Sequence, residues 1–132
     1  MGFEEIPHTA DWAVHVWAGD MAGLLAESAR AMSTLAGVIT APSPRLERIF
    51  DFEATDRESQ LVYFLSELLY LEEQENLAFD QFDIALSDGR VHVRMEGAPI
   101  TSYDKIIKAV TWHNLKIKPT KRGLEVQIVF DV

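Results

Sequence analysis

Two aspartates stand near opposite ends of this 132-residue chain, Asp11 in His8-Thr9-Ala10-Asp11 and Asp131 in Phe130-Asp131-Val132. If the strand that begins near Asp11 pairs antiparallel with the last strand, the start of one lies beside the end of the other. Asp11, Asp131 and the terminal carboxylate of Val132 would then converge as hard oxygen donors, a set suited to Ca²⁺, with Mg²⁺ or Mn²⁺ as alternatives. Alone, Asp11 reads as a strand-edge carboxylate and Asp131 as a solvated tail residue. It is their joint placement that raises the metal reading.

Four histidines accompany them: His8, His15, His92 and His113. His15 and His92 fall mid-strand and read as surface or packed residues. His8 lies three residues before Asp11, and His113 lies in a polar turn, so either could border the acidic site. The chain lacks a Gly-rich phosphate loop, His-Glu-x-x-His and Gly-x-Ser-x-Gly. With no cysteine, thiolate metal sites, disulfides and cysteine nucleophiles are excluded. An independent metal-dependent hydrolase is disfavoured, because no convincing general base or pocket accompanies the carboxylates.

The elements that would position these residues follow from periodicity. Residues 10 to 18 alternate, with Ala10, Trp12, Val14, Val16 and Ala18 on one face and Asp11, Ala13, His15 and Trp17 on the other, which predicts a strand. Asp20 is placed to cap a helix carrying Met21, Leu24, Leu25, Met32 and Leu35, and Gly37 to end it. Leu46 to Ala54 reads as a second strand. Thr55 and Glu58 have capping-box spacing at the head of a second helix, whose apolar stripe holds Leu61, Phe64, Leu65, Leu68 and Leu69.

Asp88-Gly89 predicts a two-residue hairpin between a strand over Phe79 to Leu86, alternating Phe82, Ile84 and Leu86, and a return strand with Val91, Val93 and Met95, which Gly97 and Pro99 break. Residues 102 to 110 fit either a short helix or a strand. Leu115 to Lys118 reads as a strand and Pro119 to Gly123 as a turn. In the last strand Leu124, Val126, Ile128, Phe130 and Val132 share one face, and Glu125, Gln127, Val129 and Asp131 the other. The expected fold is a single compact α+β domain over residues 1–132, with helices packed on a mainly antiparallel sheet.

Composition sets further bounds. Nearly half the residues are apolar (48%) and 25% are charged, a globular balance. No apolar run approaches the ~20 residues needed to span a bilayer, and the Met-Gly-Phe-Glu-Glu start has no basic and apolar leader pattern. A cytoplasmic protein without membrane contact is the expectation. The net charge of −9 argues against a surface built wholly for nucleic acid. Lys105 to Arg122 nevertheless holds six basic residues and no acidic one, leaving the remaining six against all 21 acids, a net of −15. That segment reads as a solvated hairpin or as a basic edge for an acidic partner or a phosphate.

His8-Thr9-Ala10-Asp11, the helix after it, Lys108-Ala109-Val110-Thr111-Trp112-His113-Asn114-Leu115 and Val129-Phe130-Asp131-Val132 together resemble the archease family over essentially the whole chain. The resemblance implies a compact fold built around a strand–helix–strand–strand module. It also implies a non-catalytic role as protein cofactor of the RtcB-type tRNA-splicing RNA ligase, promoting ligase guanylylation and multiple turnover. Contact with tRNA would be indirect, through the ligase. The family's metal site carries over onto Asp11, Asp131 and Val132. Trp112 stands where tyrosine is common in the family, which keeps the ring and loses the hydroxyl. The loop before Lys105 is short and lacks a charged stretch often found there. An alternative role is a chaperone-like modulator of a tRNA-modifying enzyme such as a methyltransferase. The oligomeric state is left open.

Overall fold

A computed structural model describes residues 1–6 and 12–132. His8 and Asp11 therefore lie outside the described residues. Two antiparallel sheets and two helices make up the rest, an α+β architecture as the sequence predicts.

The first sheet begins with β1 (Gly2–Ile6), which pairs with β2 (Trp12–Ala18). The alternation of residues 10 to 18 did not point to this preceding strand, whose own apolar pattern is weak. β2 pairs in turn with β9 (Gly123–Asp131), antiparallel, with Trp12 opposite Phe130 and Ala18 opposite Leu124. Two short strands, β7 (Ala109–Val110) and β8 (Lys118–Thr120), also pair with β9. Val14, Val16, Val126, Ile128 and Phe130 are buried on the sheet's inner face, the row that the period-two pattern marks.

In the second sheet β6 (Arg90–Ser102) is central, bonded to β4 (Leu46–Glu53), to β5 (Leu77–Ser87) and, near its C-terminal end, to β3 (Ile39–Thr40). Asp88 and Gly89 both adopt positive φ, 49° and 79°, the conformation a tight hairpin of this hand requires. Contrary to the sequence expectation, β6 runs through Gly97 and Pro99. Gly97 sits where a Cβ would collide with the Ala78 carbonyl oxygen, beside a register irregularity between Phe79 and Gln81. Glycine here permits close backbone approach at a bulge and does not end the strand.

α1 (Met21–Ala36) packs against β1, β2 and β9 of one sheet, β5 of the other, and α2 (Arg57–Glu75). Contact on several sides explains why it buries Ser28 and Glu27 as well as Leu24, Leu25, Met32 and Leu35. The Asp20 carboxylate accepts the Gly23 N–H at 2.7 Å, and Gly37 closes the helix at φ 69° with its N–H on the Thr34 carbonyl. The capping box expected for α2 does not form. Asp56, not Thr55, is the cap, accepting the Ser59 N–H at 2.9 Å and the Ser59 hydroxyl at 2.8 Å. These bonds hold the Asp56 carboxyl below the usual carboxylate range, the Ser59 N–H being the larger cause. Glu58 is thereby free to accept the Ile117 N–H at 2.8 Å, tying the chain before β8 to α2.

Residues 115–117 consequently lie outside any strand, and β8 takes in Pro119 and Thr120, which the sequence pattern assigns to a turn. Among the described residues no helix is long and apolar enough to cross a membrane.

Candidate metal site at the end of the last strand

The antiparallel pairing of β2 with the last strand, the condition set for the metal reading, is present. β2 enters the sheet at Trp12, opposite Phe130, and Asp131 follows Phe130 as the last residue of β9. Asp131 and Val132 are both exposed, while Phe130 is fully buried. The strand therefore ends by carrying the Asp131 carboxylate, with Val132 after it, out of the core and into solvent. Asp11 belongs to the segment outside the described residues, so of the expected ligands only Asp131 and Val132 are placed.

Residues 105–111 form a strap along the same end of β9. The Lys108 N–H donates to the Asp131 carbonyl at 2.7 Å, Ala109 and Val110 pair with Asp131 and Phe130, and the Thr111 N–H donates to the Val129 carbonyl at 2.9 Å. These bonds fix the main chain of Asp131 and occupy its carbonyl, leaving the side-chain carboxylate uncommitted among the described residues. Lys105 reaches back from the strap to place its ammonium 2.8 Å from the centroid of the Trp12 ring. Composition alone marked the strap as basic. Its attachment to β9 depends on hydrogen bonds between distant segments, which no local pattern encodes.

An exposed carboxylate on a strand end is the right donor type for a hard divalent cation, and water would fill much of the remaining coordination sphere. Among the described residues no group of three acidic or histidine side chains is arranged to hold a metal. The exposed Asp131 carboxylate is of the donor type that a Ca²⁺- or Mg²⁺-type ion takes, and it would need further ligands to hold one.

The histidines sort clearly. His15 Nε2 lies 2.7 Å from Glu125, and His92 Nδ1 lies 2.5 Å from Asp51, so each sits on a carboxylate of a neighbouring strand. Glu125 also accepts the Thr120 hydroxyl; with His15 as the next cause, this holds its carboxyl below the usual range. His113 is exposed in the turn after Thr111, with Asn114 against its ring at 3.3 Å. His8 lies outside the described residues.

Of the basic segment, Lys105 is engaged with Trp12, and the Arg122 guanidinium lies 4.3 Å from the Trp17 ring centroid. Lys108, Lys116, Lys118 and Lys121 project as exposed side chains. Trp112 is 57% exposed.

The model of the Archease protein family matches residues 3–132. A protein archease from Methanopyrus kandleri is 32% identical over 126 residues, covering 89% of this chain and 90% of that protein. One from Methanosarcina mazei is 29% identical over 139 aligned positions, covering 98% and 95%. Among solved structures, protein 1598 of Methanobacterium thermoautotrophicum superposes with a TM-score of 0.74 at 23% identity, over 99% of each chain. A Thermotoga maritima structure described as an archease and possible chaperone gives 0.70 at 24% identity, over 98% of this chain and 96% of that one. At these identities the structural likenesses concern the fold.

Proposed function

Because the chain belongs to the archease family, we propose that it is a non-catalytic activator of an RtcB-type tRNA-splicing RNA ligase, promoting ligase guanylylation and multiple turnover. The observation that carries this reading is the exposed carboxylate pair at the end of β9, held by the strap and preceded in the sheet by the fully buried Phe130. In the proposed site Asp131 and the Val132 carboxylate bind a divalent cation, most suitably Ca²⁺, with Asp11 as the third protein ligand. Such an ion would supply Lewis acidity and charge neutralisation close to the partner's nucleotidyl-transfer centre. Asp131 holds its donor on a rigid strand; the strap fixes the backbone beside it; Lys108, Lys116, Lys118 and Lys121 offer cations to the ligase or to a nucleotide phosphate. RNA is then met through the ligase, in keeping with the net charge of −9.

Multiple-turnover RNA ligation with a matching ligase tests the reading. Adding the protein raises turnover and the yield of guanylylated ligase, whereas the protein alone ligates nothing. Unchanged ligase turnover at saturating protein would refute it. A second reading is favoured by the relative described as a possible chaperone: modulation of a tRNA-modifying enzyme such as a methyltransferase. It predicts a change in that enzyme's assembly state or specificity, with no effect on ligation.

A further inference from the structure

A cavity of about 640 Å³ opens where the C-terminal ends of α1 and α2 meet the strap. Met32, Leu69 and Ile107 are among its apolar lining residues, and Tyr70, Tyr103 and Glu72 of α2 line it as well. Tyr70 and Tyr103 are more than half exposed, whereas Ile107 is buried. Neither helix has a basic residue in its last turn, so the negative ends of both helix dipoles reach this region uncompensated by their own side chains.

The Glu72 carboxyl is the unusual member. Burial alone pushes its pKa up to about 7. The charged groups that line the cavity with it are Glu73 from α2 and Lys105 and Lys108 from the strap; α1 contributes Met32 and Ala36, and β6 contributes Ile100. Neither lysine offsets the burial. Lys105 has its ammonium on the Trp12 ring, and no cation is among the causes of the Glu72 shift. A partly buried carboxyl thus lines the cavity together with two tyrosines near the C-terminal ends of both helices, and no cation is among the causes of its upward shift.

We propose that this cavity binds a small organic cation, an ammonium or guanidinium on an aliphatic stem, with the charge on Glu72, the rings of Tyr70 and Tyr103 flanking it, and the stem against Leu69 and Ile107. The arrangement suits such a ligand for separate physical reasons. Tyrosine faces attract cations, a carboxylate pairs with them most strongly where water is scarce, and the apolar wall rewards a hydrocarbon stem. An inorganic divalent ion is a poor fit, since no three acidic or histidine side chains among the described residues are grouped to hold one. Asp131 and Val132 are not among the residues that line this cavity, and the proposal does not depend on the ligase reading.

Agmatine, which carries both cationic groups and stays charged between pH 6 and 8, is the probe. It is titrated into the full chain by calorimetry and by amide NMR. One saturable site is expected at pH 8, with shifts at Tyr70, Tyr103 and Ile107. Glu72→Gln should weaken binding at least tenfold, while Glu4→Gln, the same charge change at an exposed position on β1, should leave it unaltered. Tyr103→Leu, at a half-exposed position that tolerates substitution, should weaken it on the order of two- to fivefold. Affinity should fall from pH 8 to pH 6 as protons compete for Glu72, and this dependence should vanish in Glu72→Gln. Blocked arginine amide forms a second arm: tighter binding than agmatine assigns the natural cation to a protein side chain, and weaker binding assigns it to a free small molecule. Absence of saturable binding at millimolar agmatine, equal binding by Glu72→Gln, or shifts confined to Asp131 would overturn the proposal.

Discussion

Replacing Glu72 with glutamine should stabilise the protein above neutral pH and leave its stability in acid nearly untouched by the titration. Burial raises the carboxyl from 4.5 in the unfolded chain to about 7 in the folded one. Between those values the folded state holds a proton that the unfolded state has released. Wild-type stability therefore falls as pH rises through this window and is lowest above pH 7. Raising the carboxyl from 4.5 to about 7 corresponds to roughly 3 kcal/mol. The carboxyl opens onto a cavity in contact with solvent, so an advantage of about 1–2 kcal/mol for Glu72→Gln at pH 8 is the expected size.

Urea denaturation of both proteins at intervals from pH 4.5 to pH 8 reads this directly as the difference in unfolding free energy. Asp56, Glu75 and Glu125, whose carboxyls are held low by hydrogen bonds or an arginine partner, contribute stability that disappears only as pH falls below about 4. They are common to both proteins and cancel in the difference. A difference that stays constant from pH 4.5 to 8, or a wild type that gains on the variant toward pH 8, would refute the assignment of an uncompensated carboxyl at this position.

Gly97→Ala drives a Cβ into the Ala78 carbonyl oxygen within the β5–β6 pairing, so thermal melts should show a loss of about 1–3 kcal/mol or more, as for other overpacked sites. Asp131→Asn changes an exposed side chain outside the core; circular dichroism and melting in chelator should match wild type, while calorimetry should show weakened Ca²⁺ binding. A short extension after Val132 replaces the proposed carboxylate ligand with a neutral carbonyl. It should reduce activation of the ligase with no change in the melt in chelator, and full activation by the extended protein would make the terminus incidental.

Local chemistry in the sequence determined a good deal. The period-two rows of β2 and β9, the Asp20 cap and Gly37 stop of α1, and the Asp88-Gly89 turn are each decided within a few residues, where side-chain alternation and backbone preference act directly. The apolar stripe of α2 was legible for the same reason, with Leu61, Phe64, Leu65 and Leu68 all buried. The antiparallel pairing of the strand at Trp12 with the last strand could be stated from sequence only as a condition; the register of Trp12 against Phe130 came from tertiary structure. Asp131 and Val132 were found as chemical types, but their exposure beside the strap came only from the folded chain.

What the sequence left undecided depends on segments far apart in the chain. β1 is a strand because β2 offers it an edge. β6 continues through Gly97 because Ala78 comes so close there. Glu58 reads locally as a capping residue, yet it serves the Ile117 N–H, 59 positions away. Glu72 has the sequence context of a solvated glutamate at an acidic helix end, and its desolvation follows only when the strap closes over the ends of α1 and α2. Side-chain periodicity is a local signal, whereas register, close backbone approach and burial of a charge are set by which distant surfaces meet.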